Sequence, residues 1–181
     1  EFTIPQEVYD HFKKQFIDKN YEKHVNWLLK TEKLKKSGKL DVYDQIFSGN
    51  LAEFIEGKDF NDFDPAVKEA TRKSSQNALT YYNSIVPNLI GGSADVAGSV
   101  LTNIPGTSKF TAENREGTSI DFGIREFGMA AAANGIALHY GLRPYVGCFC
   151  VFSDYMKSAI RMSALSKLPV LYIFSHDSIS V

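Results

Sequence analysis

The sequence has little charge of either sign to spare: 20 Lys and Arg stand against 21 Asp and Glu in 181 residues, a formal net charge of −1. No basic cluster resembles the cationic face by which proteins hold nucleic acid. The densest basic run, Lys33-Leu-Lys-Lys36, falls in a charged helical stretch and reads as a solvated face. No stretch approaches the length of apolar sequence that a membrane-spanning helix needs, and the first residues show no basic-then-apolar leader. Only Cys148 and Cys150 occur, in a predicted strand, on one face and poorly placed for a disulfide. With no His or Cys near them in sequence they do not form a metal site. They read as small buried residues of a reducing compartment, and the protein is expected to be soluble and cytoplasmic.

What is present is a core. Hydrophobic residues make up 44% of a chain in the size range of one domain. From residue 5 to 56 the pattern is helical, with Val8, Phe12, Phe16 and then Val25, Leu28, Leu29 at three- and four-residue intervals among many charges. Gly38 and Gly57 punctuate it, and Phe60 to Pro65 reads as a turn into a helix, with Asp64 as N-cap and Pro65 in the first position. Residues 1–63 are therefore expected to be a helical arm without chemistry. From 64 to 181 helices alternate with short apolar strands: a helix to about Ile85, strands at Asn88–Ile90 and near Ser119–Phe122, a helix at Glu126–His139, then strand Pro144–Phe149, helix Phe152–Ser166 and strand Pro169–Phe174. This order predicts an α/β fold, a parallel sheet with helices on both faces, with ligands bound beyond the carboxyl ends of the strands.

Two segments carry candidate chemistry. Glu126 sits in Phe122-Gly-Ile-Arg-Glu-Phe-Gly-Met-Ala130, and Phe149-Cys-Val-Phe-Ser-Asp-Tyr155 places three aromatic rings at a spacing of three. A carboxyl group beside an aromatic ledge suits a flat heteroaromatic ring held for proton transfer. Both have ordinary readings as well, the rings as the core face of a helix and Glu126 as a first-turn residue favoured by the helix dipole. The helix after Glu126 carries Ala130, Ala133 and Ala137 on one face, with Gly128 and Gly135 close by. Such a smooth surface admits another backbone, either at a dimer contact or beneath the sheet.

Together with Ala70-Thr-Arg-Lys73, Leu89-Ile-Gly-Gly-Ser-Ala-Asp95, Leu142-Arg-Pro-Tyr145 and Phe174-Ser-His-Asp-Ser-Ile179, these segments resemble the transketolase family in order and spacing. The resemblance covers essentially the whole chain and is closest from Ala70 to Ile179. It implies the pyrimidine-type domain of the thiamine-diphosphate-binding fold, and an enzyme moving a two-carbon ketol unit from a ketose phosphate to an aldose phosphate in the pentose phosphate pathway. Glu126 is then the glutamate that hydrogen-bonds or protonates the ring nitrogen of the cofactor's aminopyrimidine. Phe149, Phe152 and Tyr155 match the family's aromatic wall, and Arg72, Ser99 and His176 its sugar-phosphate positions. By residue type alone Arg72 also suits an ion pair with Glu69, Ser99 a turn cap and His176 a strand end. Asp95 is expected to brace its loop or a neighbouring subunit, with Gly91 and Gly92 turning the backbone after the strand.

The family also implies Mg²⁺ or Ca²⁺ held through a Gly-Asp-Gly segment, which this sequence does not contain. The metal is therefore expected in another domain, the sheet to continue beyond Val181, this chain alone to be inactive, and the complete enzyme to be a homodimer with its active site at the subunit interface. Val96, Val100 and Ser180 depart from the family's frequent Leu, Asn and Gly. The first two flank the sugar site and bear on substrate preference. Dihydroxyacetone synthase, deoxyxylulose-phosphate synthase and a non-catalytic domain of the same fold are the alternatives.

Overall fold

The computed structural model describes residues 3–60, 64 and 66–177, in two compact units, Glu1–Gln45 and Ile46–Val181. In the first, α1 (Gln6–Phe12) runs through a π-helical stretch, Lys13–Asp18, into α2 (Lys19–Lys36). Gly38 closes α2 in the left-handed region at φ 69°. Its amide donates to the Lys35 carbonyl and that of Lys39 to Leu34, which satisfies two carbonyls the helix leaves open. The apolar stripe does not form a core within this unit, since neither helix buries a residue and Phe12 and Phe16 stack in the open at 5.4 Å. α3 (Leu40–Ser48) spans the division between the units.

The second unit begins earlier than the sequence suggests. Leu51, Phe54 and Ile55, in and beside the short α4 (Ala52–Ile55), pack against its core, so this part of the expected arm belongs with the α/β body. The helix expected from Pro65 starts only at Thr71, as α5 (Thr71–Ile85). Asp64 closes a local turn instead, its carboxylate accepting from the Ala66 amide and its carbonyl from Val67. Pro65 in its expected helical position, and the end of the His176 segment from Ser178 to Ser180, lie outside the described residues.

Four parallel strands follow: β1 (Leu89–Ser93), β2 (Ser119–Asp121), β3 (Arg143–Phe149) and β4 (Leu171–Ser175), in the order β2-β1-β3-β4. Their crossovers carry α6 (Ala97–Val100), α7 (Glu126–His139) and α8 (Ser153–Leu165). The chain leaves β1 towards one edge and β3 towards the other, which puts the switch point, the place where such sheets bind ligands, between β1 and β3. Gly91 and Gly92 are not a turn after β1 but its centre, opposite Tyr145 and Val146. A Cβ on Gly91 would overlap the Tyr145 carbonyl, and one on Gly92 that of Ile120, so the glycines let both neighbours close on this strand. Among the described residues no helix is long and apolar enough to cross a membrane.

Two cores lie on opposite faces of the sheet because β3 alternates. Tyr145 joins Leu79, Val86, Leu89 and Ile104 beneath α5, while Val146 and Cys148 join Met129, Ala130, Ala133, Met156 and Ala159 beneath α7 and α8. Each large side chain removed from water in this way contributes about 1.5–3 kcal/mol. The Ala130, Ala133, Ala137 face is thus buried inside this chain, at 0%, 0% and 6% exposure, and the dimer-contact reading of that face is corrected. What α7 leaves open is the other side, Phe127 and Leu138. Cys148 lies buried in β3, but Cys150 opens the 3-10 turn Cys150–Phe152 and does not share the strand face.

Candidate functional site

Segments leaving the carboxyl ends of β1, β2 and β3 meet in a cleft of about 540 Å³, lined by Ala94, Asp95, Val96, Ile124, Glu126, Phe152 and Tyr155. Glu126 is the first residue of α7. The turn before it bends at Gly123, φ 67°, and is tied by the Arg125 guanidinium donating to the Phe122 carbonyl at 2.8 Å. The Arg125 carbonyl accepts from the Met129 amide at 2.7 Å, which starts the helix and delivers a half-buried Glu126 into the cleft.

The three rings come from three elements rather than one helix face. Phe149 ends β3, Phe152 closes the 3-10 turn and Tyr155 stands in the first turn of α8. Phe149 and Phe152 stack at 5.4 Å and 20°, while Tyr155 lies tilted to Phe152, at 6.1 Å and 44°. Phe152 and Tyr155 line the cleft, whereas Phe149 backs Phe152 from outside it. Phe152 also packs on the core while Tyr155 stays 66% exposed, so the ledge has a fixed and an open end.

His176, just past β4, lays its ring on Phe149 at 4.2 Å, with Nδ1 2.8 Å from the Ser175 hydroxyl. It holds a left-handed backbone at φ 55°, as Asp95 and Leu101 do at this end of the sheet. For a residue with a Cβ this costs on the order of 1 kcal/mol, which the surrounding packing must offset. The Asp95 loop is closed by Ser93, whose hydroxyl accepts from the Val96 amide at 3.1 Å, and Asp95 itself is exposed on the cleft wall.

Arg72 and Ser99 do not line the cleft. Arg72 is exposed in the first turn of α5, the end of that helix remote from the start of β1. One turn on, buried Gln76 donates to the Asn103 carbonyl at 2.8 Å and ties α5 to the loop after α6, the helix that carries exposed Ser99. Glu69 accepts from the Ser74 hydroxyl at 2.7 Å, and the ion pair that its spacing with Arg72 allows is absent from those formed among the described residues. Ala94 and Ile124 were not singled out by sequence, and their signal is that each follows the end of a strand; Val96 was marked only as a departure from the family's frequent Leu, and the structure puts it in the cleft wall. Among the described residues no three His, Cys, Asp or Glu gather as metal ligands.

Cys148, below the cleft, has its Sγ 3.4 Å from Met156 Sδ. Burial, with the charges of Glu126 and Cys150 adding, pushes its thiol up to about 11.

Residues 67–181 match the sequence family described as the transketolase pyrimidine-binding domain. The chain belongs to the transketolase family. It is 41% identical over 188 residues to the transketolase of Bacillus subtilis, covering all of this chain and 27% of that protein. The fold matches Leishmania mexicana transketolase with a TM-score of 0.82 at 32% identity, over 98% of this chain and 26% of that one. It matches a Pichia stipitis transketolase in complex with sedoheptulose 7-phosphate with a TM-score of 0.75 at 31% identity, over 99% and 28%. The chain therefore spans about a quarter of the length of these transketolases.

Proposed function

We propose that this chain supplies the aminopyrimidine side of a transketolase active site, in an enzyme that moves a two-carbon ketol unit from a ketose phosphate to an aldose phosphate with thiamine diphosphate. The observation that carries this reading is the cleft itself, in which the half-buried carboxyl group of Glu126 shares a pocket with two aromatic rings and three aliphatic side chains, while the second carboxylate, Asp95, stays exposed on the wall. A flat, weakly basic heteroaromatic ring needs a π-face, a partner for its ring nitrogen and walls that exclude water, and the residues present fit it. When bound, thiamine diphosphate supplies the acidic thiazolium C–H whose chemistry carries the two-carbon unit. Glu126 hydrogen-bonds the ring nitrogen and holds the proton there. Phe152 gives the stacking surface, Phe149 backs it, Tyr155 flanks it, and Ala94, Val96 and Ile124 keep water out.

In the same reading His176 meets the sugar, and Arg72 and Ser99, which lie outside the cleft, meet the phosphate. The guanidinium fork suits a phosphate. The sedoheptulose 7-phosphate complex of the Pichia relative supports this substrate class. In this reading residues 64–181 carry the pyrimidine-binding domain, and the last part of the segment before it, with Leu51, Phe54 and Ile55, packs on that domain's core. The diphosphate is held through Mg²⁺ or Ca²⁺ by another domain of the complete enzyme, a homodimer with its site at the subunit interface, working in the pentose phosphate pathway. The test is transfer assayed on the complete protein: ketol transfer between sugar phosphates that requires thiamine diphosphate supports the reading, and its absence from cofactor-loaded enzyme overturns it.

A further inference from the structure

The cleft is assembled across two helices. α7 begins with Glu126, while α8 follows Phe152 directly and carries Tyr155. How Glu126 meets the ledge therefore depends on how α7 lies along α8. Their seam is built from Met129, Ala130 and Ala133 against Met156 and Ala159, all buried. Alanine faces are smooth and methionine adapts its shape, so this packing excludes water without defining one axial position.

Asn134 lies in the same seam, itself buried. Its Nδ2 donates to the Ala159 carbonyl of α8 at 2.8 Å, and its Oδ1 accepts from the Tyr172 hydroxyl of β4 at 3.1 Å. One amide thus joins α7, α8 and β4 by directional bonds whose loss leaves buried polar groups unpaired.

We infer that Asn134 is a positioning residue, fixing α7 on α8 and so holding Glu126 in place against Phe152 and Tyr155. This rests on the proposed function. It acts through the helix, two turns from the cleft, and touches neither cofactor nor substrate. A displacement of about 1 Å at a reacting group is enough to cost on the order of a hundredfold in rate.

The experiment uses the complete enzyme and three variants. Asn134→Leu keeps the volume and removes both bonds, Tyr172→Phe removes one of them, and Leu79→Val loosens the opposite core without touching the seam. Thermal midpoint, Kd for thiamine diphosphate by calorimetry, kcat and sugar-phosphate KM are measured for each. Asn134→Leu is expected to weaken cofactor binding and lower kcat about ten- to a hundredfold with KM unchanged. Tyr172→Phe should move the same quantities less, and Leu79→Val only the thermal midpoint. Asn134→Leu with a lowered midpoint but wild-type Kd and kcat overturns the inference. If Asn134→Leu does not fold, Tyr172→Phe decides, and wild-type Kd and kcat in it overturn the inference equally. Wild-type enzyme that fails to bind thiamine diphosphate overturns the proposed function instead.

Discussion

The His176 ring rests on Phe149 with centroids 4.2 Å apart. Since Phe149 stacks in turn on Phe152, the residue after β4 and the cleft after β3 are joined by one row of rings. The Ser175 hydroxyl lies 2.8 Å from Nδ1 of His176 and helps set the orientation of that ring.

Arg72→Ala should separate phosphorylated from free sugars. In the complete enzyme the KM for a sugar phosphate is expected to rise about tenfold while a non-phosphorylated donor is little affected, since only the former loses a charge-assisted contact. Equal rises for both would assign Arg72 to the support of α5.

Phe152→Ala removes a ring that lies both in the cleft and against the core. Thiamine-diphosphate titration of the apo-enzyme should show Kd raised about fivefold, the equivalent of roughly 1 kcal/mol of stacking. An unchanged Kd would leave Phe152 a core residue only.

Cys148 should resist thiol reagents that Cys150 accepts. With its thiol at about 11, only about one Cys148 in a thousand is thiolate at pH 8, and the side chain is buried as well. Because this folded value lies above the ordinary 9.0, the unfolded chain ionises first on raising the pH. The stabilisation is complete below about pH 9 and is lost as the pH rises towards 11. Peptide mapping after mild alkylation should find Cys150 labelled before Cys148, and Cys148→Ala should flatten the fall in stability over that alkaline range.

The parallel α/β order and the run of α7 from Glu126 to His139 were legible because helical and strand periods alternate cleanly there. Gly91-Gly92 misled, since a glycine pair reads as a turn unless the carbonyls of Tyr145 and Ile120 are known to crowd the strand. Asp64 looked like a helix cap because an Asx turn and an N-cap use the same side-chain acceptor. The smooth alanine face announced a close neighbour but not which one, and the neighbours proved to be β3 and α8. Glu126 and the three rings were visible as residue types, while their meeting depends on strand order. Arg72 and Ser99 drew attention only through family resemblance, and the structure leaves both outside the cleft.

Glu126→Gln in the complete enzyme is the deciding substitution, because it preserves shape and hydrogen-bond reach while removing the exchangeable carboxyl proton. Turnover should fall by about two to four orders of magnitude with the fold and thiamine-diphosphate binding largely kept. Near-wild-type two-carbon transfer by this variant would show that the carboxyl group of Glu126 does not work on the cofactor ring.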